Sequence, residues 1–292
     1  TYKLNPTVKA LRNALLAGMM AASLAPSAAT AAPFRYVVIE DIAPFDDSFV
    51  FNEDDLVALA ENIAAGIVSI SANGDAGVVN HGNISAIADA SLGLNGNYAT
   101  AAGIYALAYS DAVIVNDGDI SATAIAQANG SAAAYGLWAI GGESARVEND
   151  GDITVSAYSE YGNAAAVGIK ATSVGDAIVE NTGSISATAL VSYGDNYGYA
   201  TTASAIGIDA SGYSVSVYNT GDIEALATND LYFGAAVAIG INAEAYADIT
   251  ISNTGDIHAT AATTQGFASA WGVAAEGLGL YGDIDISNDG MV

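Results

Sequence analysis

Four aspartates, Asp119, Asp152, Asp222 and Asp256, each stand directly after the glycine of a phrase Asn-x-Gly, and they fall in two pairs 33 and 34 residues apart. Carboxylates brought side by side repel unless water or a cation screens them, and Ca2+ favours oxygen ligands of this kind. The spacing therefore poses two readings: a solvated acidic face, or a calcium site on the Asp119/Asp152 or the Asp222/Asp256 pair. The nonapeptide calcium repeat of some stacked-coil proteins is missing, which favours the solvated face and assigns no metal ligand.

A second set is aromatic. A phrase Gly-apolar-x-small recurs as GIYA, GLWA, GIKA, GIDA, GINA and GVAA, and its third position reads Tyr105, Trp138, Lys170, Asp209, Asn242 and Ala274. If the phrases stack, Tyr105 and Trp138 are neighbours, with Lys170 beside them. An exposed aromatic pair can stack on a sugar ring; the plainer alternative is cross-strand packing with a cation–π contact. A third set is hydroxylic. Ser121, Thr123, Thr154, Ser156, Ser186 and Thr188 form a regular patch over three repeats. Ice-binding solenoids present flat threonine ladders, but here Ile87, Glu224, Leu226 and His258 interrupt the columns.

Catalysis finds less support. Polysaccharide lyases and hydrolases built on stacked coils need clustered carboxylates, or a base with Arg or Lys, on one face. Beyond the N-terminal stretch the Lys and Arg residues are Arg35, Arg146 and Lys170, each in a different segment. His81 and His258 fall five repeats apart, roughly 24 Å at strand spacing. No Gly-x-Ser-x-Gly elbow occurs. The reading is of a non-enzyme with no catalytic residue, no cofactor-binding residue and no cofactor.

Whatever these residues do, a repeat must position them. Asn80, Asn116, Asn149, Asn181, Asn219, Asn253 and Asn288 align on Asn-x-Gly, with spacings of 36, 33, 32, 38, 34 and 35 residues. Periods of this length mean stacked units. Inside the unit the period is two. Val78, Ile114, Val147, Val179, Val217, Ile251 and Ile286 stand two residues before each Asn, and Ile84, Ile120, Ile153, Ile185, Ile223, Ile257 and Val292 four residues after it. Alternation with β-branched residues on one side is the signature of a strand. Each unit holds three short strands: one ending at the Asn, one starting after the Gly, and one at the Gly-apolar-x-small phrase. The fold class that fits is all-β, a right-handed parallel β-helix of about seven coils over residues 66–292. The inward Asn needs partners, which a ladder of stacked amides supplies; a ligand site on the Asn column is the alternative. The Gly after it is read as supplying a backbone angle that other residues resist.

Residues 32–65 read as an N-terminal cap. Within it NEDDLVALAENIAA suggests a short amphipathic helix with Asn52 as N-cap and Glu53, Asp54 and Asp55 in the first turn. Ahead of it, residues 1–31 have the form of a secretory signal peptide. Lys3, Lys9 and Arg12 precede the apolar run ALLAGMMAASLA, which is too short to span a bilayer, and ATA supplies an A-x-A cleavage site. The variable loops LGLNGNY, AQANGSA and SYGDNYGYATT are expected to leave one corner of the coil. The chain begins at Thr1 and stops inside a repeat, so the reading is of a fragment, truncated at its C-terminus.

Composition narrows the partners. Lys plus Arg number 6 against 32 Asp plus Glu, and without residues 1–31 the net charge is about −29. Such a surface repels phosphate backbones and anionic lipid, which excludes nucleic acid as a partner. With no Cys, disulfides and thiolate metal sites are absent. The wealth of Ala, Val and Ile, with 16 Tyr, is enough to bury a core.

A leader followed by VxNxGxIxA…GIxA coils resembles the passenger region of bacterial autotransporters, the type V secretion proteins. The resemblance covers the whole chain, more weakly at residues 32–65, and is specific for the coil rather than for any activity. It implies export through the inner membrane and passage to the outer face by a C-terminal β-barrel not present in these residues. It also implies a secreted or cell-surface location, as a non-enzymatic adhesin or structural stalk. Partners would be host or bacterial surface glycans or proteins, or other copies of the chain. The alternative is a carbohydrate-active β-helix that binds or cleaves polysaccharide.

Overall fold

The structure, a computed structural model, describes residues 35–90, 98–127, 130–192, 201–279 and 282–292. The expected leader, most of LGLNGNY and SYGDNYGYATT, and the centre of AQANGSA lie outside the described residues.

The alternating pattern forms strands throughout. The first coil is β1 (Arg35–Ala43), β2 (Ser48–Asn52) and β3 (Leu56–Ala60); the second is β4 (Ile63–Ser71), β5 (Ala76–Asn80) and β6 (Ile84–Asp89). The same triplet recurs as β7 (Tyr98–Ala108), β8 (Asp111–Asn116) and β9 (Ile120–Ala126), then β10 (Ser131–Gly141), β11 (Ser144–Asn149) and β12 (Ile153–Ser159). It continues as β13 (Ala164–Ser173), β14 (Asp176–Asn181), β15 (Ile185–Val191), β16 (Thr202–Gly212) and β17 (Ser214–Asn219). In the last coils two strands merge around a corner, giving β18 (Ile223–Ala245), β19 (Ile249–Asn253), β20 (Ile257–Gly277) and β21 (Ile284–Asn288). Each strand pairs in parallel with its counterpart one coil away. The strands ending at Asn run β2-β5-β8-β11-β14-β17-β19-β21 as one sheet. The other two faces join through β18 into a second sheet. The molecule is a parallel β-solenoid, and its coil number is close to that expected.

Register keeps like on like. Val147 pairs with Ile114 and Val179, Ile153 with Ile120 and Ile185, and Leu137 with Ile104 and Ile169. All of these are buried, in one continuous core. Burial of each such side chain contributes about 1.5–3 kcal/mol, and no single coil has a second layer to supply it, so stacking is the source of stability.

Two expectations fail. The helix over NEDDLVALAENIAA is absent: Asn52 ends β2, and Leu56, Ala58 and Ala60 alternate inward along β3. The acidic run that resembles a first helical turn is instead the turn between two strands, because Asn52 is drawn into the Asn column and Leu56 into the Ile column. The glycine after each Asn is also not there for its backbone angle, since none has φ in the left-handed region. A Cβ on Gly151 would stand 2.1 Å from the Gly118 carbonyl oxygen, and on Gly183 2.0 Å from that of Gly151. Coil-to-coil approach at this corner leaves no room for a side chain.

Candidate functional site

At the Asn corner, each side chain makes two kinds of bond. Asn149 Nδ2 donates to the Gly151 carbonyl of its own turn at 2.6 Å and to Asn181 Oδ1 of the next coil at 2.8 Å, while its Oδ1 accepts from Asn116 Nδ2 at 2.7 Å. The pattern starts at Asn52, whose Nδ2 donates to Asn80 Oδ1 at 2.7 Å, and ends at Asn288, which accepts from Asn253 at 2.6 Å. The buried amides are thus spent on each other and on the turn, which is the ladder rather than a ligand site.

The candidate calcium pairs do come together, and they too are engaged. Asp119 Oδ1 accepts the Asp152 backbone N–H at 3.0 Å, and Asp152 Oδ1 that of Ser184 at 2.8 Å. Asp222 Oδ1 accepts from Asp256 N–H, and Asp256 Oδ1 from Met291 N–H, both at 2.9 Å. A backbone N–H carries partial positive charge, so each carboxylate gains a partner that offsets its like-charged neighbour. Among the described residues no group of three or more His, Asp or Glu is placed to hold a metal. A shallow groove of about 650 Å3 runs past Asp55, Asn83, Asp119 and Asp152, with Ser85, Ser121 and Thr154 on its bank. The hydroxyl patch has the expected grid: Ser121, Thr154 and Ser186 are in register, as are Thr123, Ser156 and Thr188. Ser85 extends the first row, while Ile87, Leu226, Glu224 and His258 interrupt the columns.

The aromatic column has the expected register, with Tyr105, Trp138 and Lys170 side by side, but not the expected exposure or cation–π contact. Tyr105 and Trp138 are neighbours in register, edge to face with ring centroids 5.1 Å apart. Tyr105 is not exposed: only 4% of it is accessible, among Val68, Ile70, Leu107 and Ile140 on the outer side of the sheet. Its hydroxyl and the Trp138 Nε1 are buried without a hydrogen-bond partner. Burial pushes the Tyr105 phenol pKa well above its usual value. Lys170 forms an ion pair with Asp209 instead of lying on the rings, and Asn242 donates to the other Asp209 oxygen at 2.9 Å. The half-buried Tyr135 was missed by the sequence; it stacks on Trp138 at 4.4 Å and 28°. Strict alternation with the inward Leu137 would point Tyr135 inward. The pairing skips Gly136, and that irregularity turns Tyr135 outward beside Trp138.

His81 and His258 stand five coils apart, and Arg146 and Lys170 lie on different strands. His81 Nδ1 lies 2.6 Å from Asp117 Oδ2, with Phe51 edge-on to the imidazole, and His258 sits over Glu224 five coils away. Arg146 bridges Glu148 at 2.5 Å and Glu180 at 3.1 Å, separating two stacked carboxylates. The sequence also gave no warning that the first coil exposes Phe45, Phe49, Phe51, Val57 and Leu59, an apolar belt on an otherwise acidic molecule. Comparison with protein-family models, curated proteins and solved structures returns no match for this chain.

Proposed function

We propose that the protein is a secreted or cell-surface β-solenoid, a non-enzymatic adhesin or stalk of the autotransporter passenger kind. The observation that carries this reading is the unbroken Asn column from Asn52 to Asn288, which locks every coil to the next and makes length the property the sequence repeats. At a strand spacing of about 4.8 Å such a stack is a rod, suited to holding a surface away from a cell. Contact with a protein partner is supported by the exposed Phe45, Phe49 and Phe51, since clustered apolar side chains at a surface favour association. The test is expression of the tagged chain, fused after Val292 to an outer-membrane β-barrel, in a Gram-negative host, followed by protease shaving and immunogold labelling of intact cells. Surface labelling with the mature chain starting near Ala32 supports the proposal. A chain retained in the cytoplasm with Lys3 present overturns it.

A second reading, sugar binding, has one observation in its favour: the partly exposed Tyr135–Trp138 stack on the outer side of the sheet. A glycan array probed with the native chain and with Trp138→Ala decides it, since sugar binding must be lost in the variant. Release of reducing ends from polysaccharide would favour the enzymatic form of this reading.

A further inference from the structure

The outward side of β2, β5 and β8 carries a grid of four columns. The two inner columns are apolar. Phe51, Val79 and Val115 form one; Phe49 and Val113 form the other, with the Phe49 ring lying over Gly77, where a Cβ would meet it at 2.6 Å. The outer columns are acidic. Asp47, Asp75 and Asp111 line one side, and each of the first two accepts the backbone N–H of the next, at 2.9 and 3.2 Å. Glu53 and Asp117 line the other side, with His81 between them and bonded to Asp117. The next row ends the pattern: Arg146 stands in register with Val113 and is held by Glu148 and Glu180. We propose that this face docks a cationic amphipathic helix, its apolar stripe on the Phe49 and Phe51 floor and a Lys or Arg on each flank against the two acidic columns.

Charge and dimensions choose this occupant. Phe49 and Phe51 are 69% and 62% exposed and point sideways from the rod, not along its axis. A continuous apolar patch of this kind marks a contact surface. The acidic columns stand roughly 20 Å apart along the strands, and a helix is about 10–12 Å wide with its side chains, so Lys or Arg extended from its two flanks meets both columns. Three rows span about 14 Å, which matches roughly nine residues of helix, and the Arg146 guanidinium then repels a cationic partner from going further. A second copy is the wrong partner. Floor on floor about a two-fold axis sets acidic columns against acidic columns, on chains of net charge −26. The face also covers only roughly 280 Å2 at these spacings, against the ~800 Å2 per partner of a stable complex between folded proteins. Anionic lipid is repelled by the same carboxylates. The face instead suits the helix-in-groove mode, where apolar anchors repeat at helical spacing and flanking charges set the partner. This inference rests on the reading of the exposed phenylalanines as a protein contact and names the chemistry of the partner.

The test is binding of a labelled, end-blocked synthetic peptide of leucine and lysine, its leucines at helical spacing on one face, to the purified full chain, read by fluorescence anisotropy. The native chain should bind it, and Phe49→Ser with Phe51→Ser should raise Kd about tenfold or more. Asp47→Asn, Asp75→Asn and Asp111→Asn together should weaken binding by about as much, since asparagine keeps the oxygen that accepts the next N–H and removes only the charge. Removing three carboxylates elsewhere, by Glu224→Gln, Glu244→Gln and Glu276→Gln, should leave Kd within about twofold. Urea melts establish that each variant is folded, and the two sets of face variants test the proposal separately. The proposal is overturned if the native chain does not bind, if the Phe variant keeps native affinity, or if the remote variant weakens binding as much as the column variant. Equal binding of a shuffled peptide of the same composition also overturns it. Equal binding of a leucine and glutamate analogue would overturn the charge pairing and leave the phenylalanine contact standing. A native dimer that the Phe variant dissolves would put a second copy on the face instead. None of these outcomes touches the cell-surface reading, which the labelling of intact cells decides.

Discussion

The Cγ2 of Ile153 fills the space that a side chain on Gly136 would occupy: a Cβ on Gly136 would lie 2.5 Å from it and 2.5 Å from the Gly168 carbonyl oxygen of the next coil. The same pairing joins Gly66 to Ile84, Gly103 to Ile120, Gly168 to Ile185, Gly207 to Ile223 and Gly240 to Ile257. The two repeated phrases are thus two sides of one contact across the core. The first coil varies both together, with Val38 in the glycine place and Leu56, which has no branch at Cβ, in the isoleucine place.

Gly136→Ala should therefore destabilise by about 1–3 kcal/mol through overpacking, and Ile153→Leu by less than about 1.5 kcal/mol. Combined, they should cost less than their sum by about 0.5 kcal/mol or more, because leucine vacates the Cγ2 space. Rescue is partial, since the Gly168 carbonyl remains. Urea melts of the four proteins measure the coupling, and strict additivity would contradict the contact.

Central rungs of the Asn ladder should matter more than the last. Asn149→Ala removes an acceptor from Asn116 and a donor from Asn181, both buried, and should cost about 1–3 kcal/mol. Asn288→Ala breaks one inter-coil bond at an open end and should cost less, since end coils fray. Equal melts for wild type and Asn149→Ala would remove the ladder as the reason for the repeated phrase.

How much of this the sequence disclosed depends on whether a feature repeats. Val147, Ile153 and Asn149 recur at fixed offsets, so their inward placement and parallel stacking were legible from periodicity alone. Tyr135 was not, because it needs the break in alternation at Gly136, which a period of two does not contain. The burial of Tyr105 depends on Leu107, Ile70 and Ile140, outward residues that belong to no repeated column of the phrase. Asp54 was misread because an acidic run after Asn is as good a helix start as a turn; only the neighbouring Asn80 distinguishes them. The role of Gly151 lies between coils, and spacing along one chain does not reveal it.

The aspartate column separates corner capping from calcium binding. Asp152→Asn keeps an acceptor for the Ser184 N–H and removes a charge beside Asp119, so stability should hold or rise slightly. Asp152→Ala leaves that N–H to water and should cost about 0.5–1.5 kcal/mol. Chelator should not change the melting temperature of the native chain. A calcium site would show the opposite: Asp152→Asn would lose stability, and EDTA would lower Tm by the linkage of ligand to the folded state.

Tyr105 ties stability to alkaline pH. Burial raises the pKa of its phenol above the ordinary value, so the folded state holds the proton more tightly than the unfolded one. The sign follows directly. Below the unfolded pKa of about 10 both states are neutral and nothing is lost; as pH rises above it the unfolded state ionises first and stability falls. Tyr135 contributes in the same direction, its pKa raised chiefly by burial, with Lys170 lowering it and Asp209 raising it. Tyr105→Phe removes a buried hydroxyl that has no partner, so it should stabilise the protein at neutral pH by about 1 kcal/mol and flatten, without abolishing, the decline above pH 10. Denaturant melts at pH 7, 9, 10.5 and 11.5 on both proteins measure this. A Phe variant less stable than wild type at pH 7 would mean that the hydroxyl is bonded, and the unpartnered reading of the aromatic cluster would fall with it.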